Sequence, residues 1–273
     1  MKTAVSRLII IRRPAAAPRR ARQRGISLFV ILIVVMLSML LAVWASRTSL
    51  FQEMVVGNDA DYQRAFEAAQ AMIQDAEFDI RGEVPDGSGA LCDLGAGPVG
   101  AEVCRANDAR TSPLHYPAET ADINKLLDYL ATNSPATGCM KGLCRKFNFT
   151  IGGVNGVQNF WDNPSTFSDM TAVGARFGTY TGATAEGGDK YFAATATILN
   201  NRDDGQGAWY WIEVLPFDSS SENQRLIVNS GQGTVPLYVK PAAAYRITAV
   251  ALGRKPGSRV VMQETYVRQR VRD

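Results

Sequence analysis

Between Arg24 and Arg47 the chain runs for 22 residues without a charge, and only Gly25, Ser27, Ser38 and Ser46 lie outside the apolar set. A helix rises about 1.5 Å per residue, so the run can cross a hydrocarbon core of roughly 30 Å. It is longer than the apolar core of a secretory signal, and Ala42-Val43-Trp44-Ala45 offers no small-x-small cleavage pattern. A retained membrane helix is expected, with Trp44 as an aromatic anchor near its outer boundary.

The charge balance divides at the same place. Residues 1–25 hold eight Lys or Arg and no Asp or Glu. Removing those eight from the formal net charge of +3 leaves −5 for residues 26–273. An acidic body behind a basic leader argues against a nucleic-acid partner. A basic flank before an apolar span keeps the N-terminus cytoplasmic and sends the rest across the membrane. The apolar patch Leu8–Ile11 is too short for a signal core, so the leader reads as a basic arm or a processed segment.

All four cysteines, Cys92, Cys104, Cys139 and Cys144, lie beyond the span, in what would be an oxidising compartment. Four cysteines allow three pairings, and the sequence-local pairs Cys92–Cys104 and Cys139–Cys144 are preferred because each closes a short loop. Eleven and four intervening residues do not match C-x-x-C metal spacing.

From residue 47 to 81 the chain continues as an amphipathic helix. Tyr62, Ala65, Phe66, Ala69, Met72, Ile73, Ala76 and Ile80 form one apolar stripe, with Arg64, Glu67, Gln70, Gln74, Asp75, Glu77 and Arg81 on the other faces. Gly57-Asn58 is expected to interrupt it, with Asn58 or Asp59 capping a second segment, and Gly82 and Pro85 to end it. A loop-like stretch follows to Pro117, then a short helix over 118–130 with Ile123, Leu126, Leu127 and Leu130 on one side. Residues 131–189 read as loops with one strand at 146–151. Strands are expected at 191–199, with Phe192, Ala194, Ala196 and Ile198 on one face, and at 208–215, after the turn Asp203-Asp204-Gly205. A closing hairpin joins 244–252 to 258–268 through GRKPG. The fold class is α+β, a helical spine packed on an antiparallel sheet, with the parts 1–25, 26–46, 47–81 and a head over 82–273.

No catalytic set emerges. His115 is the only histidine and sits in the loop SPLHYP, so neither a histidine metal cluster nor a Ser–His–Asp triad is expected, and no metal or other cofactor is implied. Asp203-Asp204-Gly205 lacks the acid ladder of a calcium loop and reads as a turn. Gly152-Gly153 and Gly187-Gly188 fit no phosphate-binding pattern. Trp209, Tyr210 and Trp211 alternate across a strand, so at least one ring is expected at the surface, for core packing or contact between heads rather than ligand stacking. Arg268, Arg270 and Arg272 would share one face of an edge strand, as a solvated edge rather than a DNA contact.

A basic leader ending in Gly, an apolar segment, an amphipathic continuation and a β-rich head together resemble a type IV pilin-like protein. Arg24-Gly25/Ile26-Ser27-Leu28 resembles the class III leader junction, which implies cleavage by a prepilin peptidase between Gly25 and Ile26. FQEMVVGNDADYQRAFEAAQAMIQDAEFDIRG (Phe51–Gly82), with YRITA (Tyr245–Ala249) and VVMQETY (Val260–Tyr266), is similar to the PilX family of minor pilins. The likeness covers about a third of the chain, at both ends, and the region 83–190 shows none. It implies a non-enzymatic subunit that helps prime pilus assembly. Ile26, Phe29, Val30, Ile33, Leu37 and Leu40 would be its membrane and filament packing residues. Its partners would be other minor pilins, the major pilin, prepilin peptidase and the inner-membrane assembly platform. The helix would leave the inner membrane for the pilus, with the head periplasmic.

Most pilins carry glutamate at the fifth mature position, which here is Val30. That departure suits a subunit at or near the filament tip, as in the GspK-like pseudopilins. A type II secretion pseudopilin, and a single-span periplasmic receptor or adhesin with an uncleaved anchor, are the alternatives.

Overall fold

The computed structural model describes residues 26–89, 105, 114–117, 120–185, 192–216 and 243–268. Its elements are α1 (Ile26–Arg81), α2 (Thr120–Asn133), β1 (Cys139–Met140), β2 (Leu143–Cys144), β3 (Phe149–Ile151), β4 (Val154–Val157), α3 (Pro164–Val173), α4 (Phe192–Leu199), β5 (Ala208–Pro216), β6 (Ala243–Leu252) and β7 (Arg259–Tyr266). The chain divides into two compact units, Met1–Met54 and Val55–Asp273.

In the first unit the only described structure is the start of α1. Its apolar side chains are turned outward, from 42% exposed at Ile33 to 74% at Ile26, with Trp44 also exposed. The interrupting hydroxyl is satisfied within the helix, because Ser38 Oγ donates to the carbonyls of Val34 at 2.6 Å and Val35 at 3.1 Å. Past its first turn the backbone groups of such a helix are bonded internally as well, which is what a lipid environment requires.

The second unit is an α+β head built on a five-stranded mixed sheet of order β1-β2-β5-β6-β7. β5 to β7 form an antiparallel meander, in which Trp211 faces Thr248, Ile212 faces Ile247 and Val250 faces Val261. β2 joins β5 in parallel, a departure from the purely antiparallel sheet expected. Alternation along β5 builds two cores, so the strand is buried on both sides from Ala208 to Val214. Tyr210, Ile212 and Val214 face Ala65, Ala69, Met72, Ala76 and Ile80 of α1 and Ile123, Leu126 and Leu130 of α2. Trp209 and Trp211 face Phe147, Phe149, Phe160, Met170 and the Cys139–Cys144 pair. All three aromatic residues of the AWYW run are therefore interior, and the ring expected at the surface is not there.

The buried carboxylate of the sheet is paired, whereas the Trp209 indole N–H and the Tyr245 hydroxyl are buried without a hydrogen-bond partner. Glu213, fully buried on β5, accepts from Nε and Nη2 of its cross-strand neighbour Arg246 at 2.5 and 2.6 Å and from the backbone N–H of Phe147 at 2.8 Å. Arg246 also donates to Gln158 at 2.8 Å, which pins the turn after β4 to the sheet.

Four expectations are corrected. α1 runs without interruption through Gly57-Asn58, for a total of 56 residues. One glycine inside a helix costs only about 1 kcal/mol, which a helix of this length absorbs. Here the position also takes the Lys255 side chain against its backbone, where a Cβ would collide with Nζ. Residues 192–199 form a helix, not a strand. Thr195, Ala196, Ile198 and Leu199 are buried and Thr197 is not, a three-and-four spacing that an eight-residue alternation imitates. Residues 131–189 hold α3 and four short strands rather than one strand among loops. On the α1 stripe, Tyr62 is 48% exposed while Asp75 is buried within it.

The helix ends where glycine predicts. Gly82, at φ 68°, takes the left-handed position, and the bonds Glu83 N–H to Phe78 O (3.1 Å) and Gly82 N–H to Asp79 O (3.2 Å) complete a Schellman motif.

Alanines at 65, 68, 69 and 76 leave room for α1 to lie close against the sheet. Replacing Ala69 by Leu would overpack that contact and is expected to destabilise the head by about 1–3 kcal/mol, measured by denaturant unfolding.

Candidate functional site

The six residues expected to pack in membrane and filament lie on α1 at steps of three, one, three, four and three. Ile26, Val30, Ile33, Leu37 and Leu40 thus share one stripe, with Phe29 beside Val30. All six are exposed. Gly25 lies outside the described residues. So do Cys92 and Cys104, while Cys139 and Cys144 form a disulfide that joins directly opposed residues of the β1–β2 hairpin.

The other candidates fall where no chemistry gathers. His115 is half-buried in a bend, and Asp203-Asp204-Gly205 is a turn closed by the Gln206 N–H to Asp203 O bond at 3.1 Å. Gly152-Gly153 joins β3 to β4, whereas Gly187-Gly188 lies outside the described residues. Arg268 lies beyond the end of β7, with its guanidinium 3.5 Å from the Arg81 carbonyl, and Arg270 and Arg272 are outside the described residues. Among the described residues no group of three or more His, Cys, Asp or Glu could hold a metal ion.

What the sequence reading misses is a line of aspartates on the inner face of α1. Asp61, Ala65, Ala68, Met72, Asp75 and Asp79 follow steps of four and three, and all six are buried. Each aspartate fastens a different segment of the head. Asp61 accepts the backbone N–H groups of Arg254 and Lys255, both at 3.0 Å, and so holds the β6–β7 turn. The approach is close enough that a Cβ at Gly253 would run into the carboxylate. Burial works to raise the Asp61 pKa, but the Lys255 N–H, the Ser258 hydroxyl and the Arg254 N–H together keep it below the ordinary carboxylate value.

Asp79 is the centre of the largest network. It accepts the hydroxyls of Tyr210 at 2.8 Å and Tyr116 at 3.0 Å, and Arg105 Nε lies 3.1 Å from both its oxygens. A second guanidinium nitrogen completes the fork to Asp79, and the third donates to the Lys141 carbonyl in the turn of the disulfide hairpin. Arg105 also stacks 3.5 Å over the Tyr180 ring. One carboxylate thus joins helix, sheet, hairpin and two loop segments. Burial, then the Asp79 charge, holds the Tyr116 and Tyr210 hydroxyls far above their ordinary range, so both remain donors.

Asp75 lies one turn before Asp79 and has no arginine fork of its own. It accepts the Gly178 N–H at 2.8 Å and the Thr181 hydroxyl. Burial pushes it up to about 7 against the pull of those two bonds, with the Asp79 charge adding to the rise and Arg105 opposing it. A periodicity count that admits only apolar residues passes over these positions. Aspartates at inward steps of four and three were the available signal.

Residues 24–74 match the PilX N-terminal family, and residues 102–268 match the family described as type IV pilus assembly protein PilX C-term, which by itself is more than half of the chain. The second match runs through the middle region, where the sequence alone shows no likeness. No curated protein and no solved structure matches the chain.

Two predictions follow from the aspartate line. Asp79→Ala leaves the Arg105 charge buried without its partner, which should cost about 3–5 kcal/mol in denaturant unfolding. Asp75, whose folded value is raised above its unfolded one, binds its proton more tightly in the folded state. Its contribution is fullest below the unfolded value of 3.8 and is lost as pH rises through about 7. Asp75→Asn, which can still accept from Gly178 and donate to Thr181, should remove up to about 1.4 kcal/mol per pH unit of slope across that window. An unchanged pH profile would show that the slope arises elsewhere.

Proposed function

The chain belongs to the PilX family of type IV pilus assembly proteins, and from that premise we propose that this minor pilin primes filament assembly and occupies a position at or near the tip. The observation that carries the reading is Val30. If cleavage between Gly25 and Ile26 makes Ile26 the first mature residue, Val30 is the fifth, where most pilins resemble one another in carrying a glutamate. That carboxylate pairs with the amino group of a neighbouring subunit. A valine forms no such pair, so it removes the contact that docks one subunit beneath the next. It also spares the free subunit a carboxylate in hydrocarbon, which costs a few kcal/mol on insertion scales, about 2.5–3.5.

The exposed surface of α1 is compatible with helix packing in a filament. The span is apolar on every face, as a membrane helix needs, and Ile26, Val30, Ile33, Leu37 and Leu40 lie along one line of that surface that another helix can follow. The partners we propose are other minor pilins and the major pilin in the filament, prepilin peptidase at the junction, and the inner-membrane assembly platform. The N-terminus faces the cytoplasm and the head the periplasm. The work is structural rather than enzymatic, as befits a family of pilus components. The division into leader (1–25), assembly helix (26–46), amphipathic continuation (47–81) and head (82–273) is that of a subunit built to leave the bilayer. The Cys92–Cys104 pairing belongs to the same proposal.

Mass spectrometry of the mature protein separates this from an uncleaved receptor or adhesin. A first residue of Ile26 is expected, and an intact leader overturns the processing step. Tip placement is tested by Val30→Glu, which should increase the protein's abundance along sheared pilus shafts without changing the number of filaments initiated. Even distribution of the native protein along shafts would sink the tip assignment.

A further inference from the structure

Beside the Asp75 contact lies a cleft of about 310 Å³, lined by Phe177, Gly178, Thr179, Thr184, Asn200 and Arg202. A second hollow continues it past Asn200 and Arg202 towards Asp203. Its volume falls in the range of small-ligand sites rather than of protein docking faces, on the order of 300–1,000 Å³.

Arg202 stands where the two hollows meet. One nitrogen donates to the Phe177 carbonyl at 2.8 Å, which fixes the direction of the guanidinium. Among the described residues it forms no ion pair with a carboxylate. Neither does Arg176, whose guanidinium lies 4.0 Å over the Trp209 ring and donates to the carbonyls of Gln206 at 2.7 Å and Asn201 at 3.1 Å. Burial, and then the nearby Arg202 charge, brings Arg176 down to about 10. The head therefore keeps two like charges near each other, with the Asp204 charge set against Arg176 and the buried Asp75 charge behind Arg202. Two positive groups held near each other without ion pairs favour an anion from outside.

We propose that this cleft binds a small organic carboxylate, monoanionic, through the free edge of the Arg202 guanidinium. The planar fork of arginine matches a carboxylate through two parallel bonds. Thr179 and Thr184 offer hydroxyls to the rest of the molecule, and Phe177 offers an apolar wall. Asp203 at the far hollow opposes a dianion such as phosphate, which favours a single negative charge. The site is built from residues of the head and does not depend on the tip reading.

The test uses the full-length protein in detergent, titrated with sodium glucuronate and followed by thermal unfolding and isothermal calorimetry. Glucose and inorganic phosphate serve as the neutral and dianionic controls. Saturable binding of glucuronate is expected, with no response to glucose and a weaker one to phosphate. Arg202→Gln should weaken glucuronate at least about tenfold, the loss of one charge-assisted contact. Thr184→Val should weaken it less, and unliganded unfolding of both variants should stay close to the parent's. The proposal is overturned if glucuronate gives no saturable response, if phosphate matches it, or if a folded Arg202→Gln protein binds as the parent does. If Arg202→Gln does not fold, Thr184→Val decides, and unchanged binding there counts against the site.

Discussion

The head depends on one buried carboxylate. Asp79 is joined to Arg105, Tyr116 and Tyr210, and through Arg105 to the turn of the disulfide hairpin, so segments far apart in sequence converge on a single oxygen pair. A buried charge is tolerated only when its hydrogen bonds are filled, and here two hydroxyls and a guanidinium fill them. An apolar residue at 79 could pack against the sheet, but it could not specify which loop lies above it. Asp61 and Asp75 repeat the device at other heights of the same helix, and in this way a smooth alanine-rich face becomes a set of fixed attachment points.

On the other side of the sheet, order comes mostly from shape. Phe160 meets Trp211 at 4.8 Å and Phe147 at 5.1 Å, both edge-on, and Trp211 donates its indole N–H to the Met170 carbonyl at 2.9 Å. The Cys139–Cys144 disulfide lies within this cluster, where it holds two-residue strands that could not persist alone. The sheet thus separates a polar-specified core from an aromatic one, with β5 common to both.

Long periodic signals were legible in the sequence. The apolar span, the continuation of α1, α2 and the β6–β7 hairpin each carry enough repeats for one period to win. The misreadings fall where a segment is short or where the partner decides. FAATATIL satisfies a period of two nearly as well as 3.6, and only its burial against the rest of the core resolves it. β1 and β2 have no local signature, since their extension comes from the cystine and from pairing with β5. α3 did carry a signal, Asn163 before Pro164, a cap followed by proline in the first turn, and the cap bond to the Thr166 N–H at 3.1 Å is present. The aspartates were visible as residues but not as core, because an inward polar group announces itself only through its partners.

The internal bond of Ser38 gives the first part of α1 a particular freedom. With its hydroxyl already bonded to Val34 and Val35 in its own helix, the stretch from Leu28 to Val43 holds no side-chain polar group that lipid leaves unmet. Exchange of acyl chains for neighbouring helices therefore makes and breaks no hydrogen bond at that position. If the helix passes from bilayer to filament as proposed, that transfer is governed by fit between surfaces.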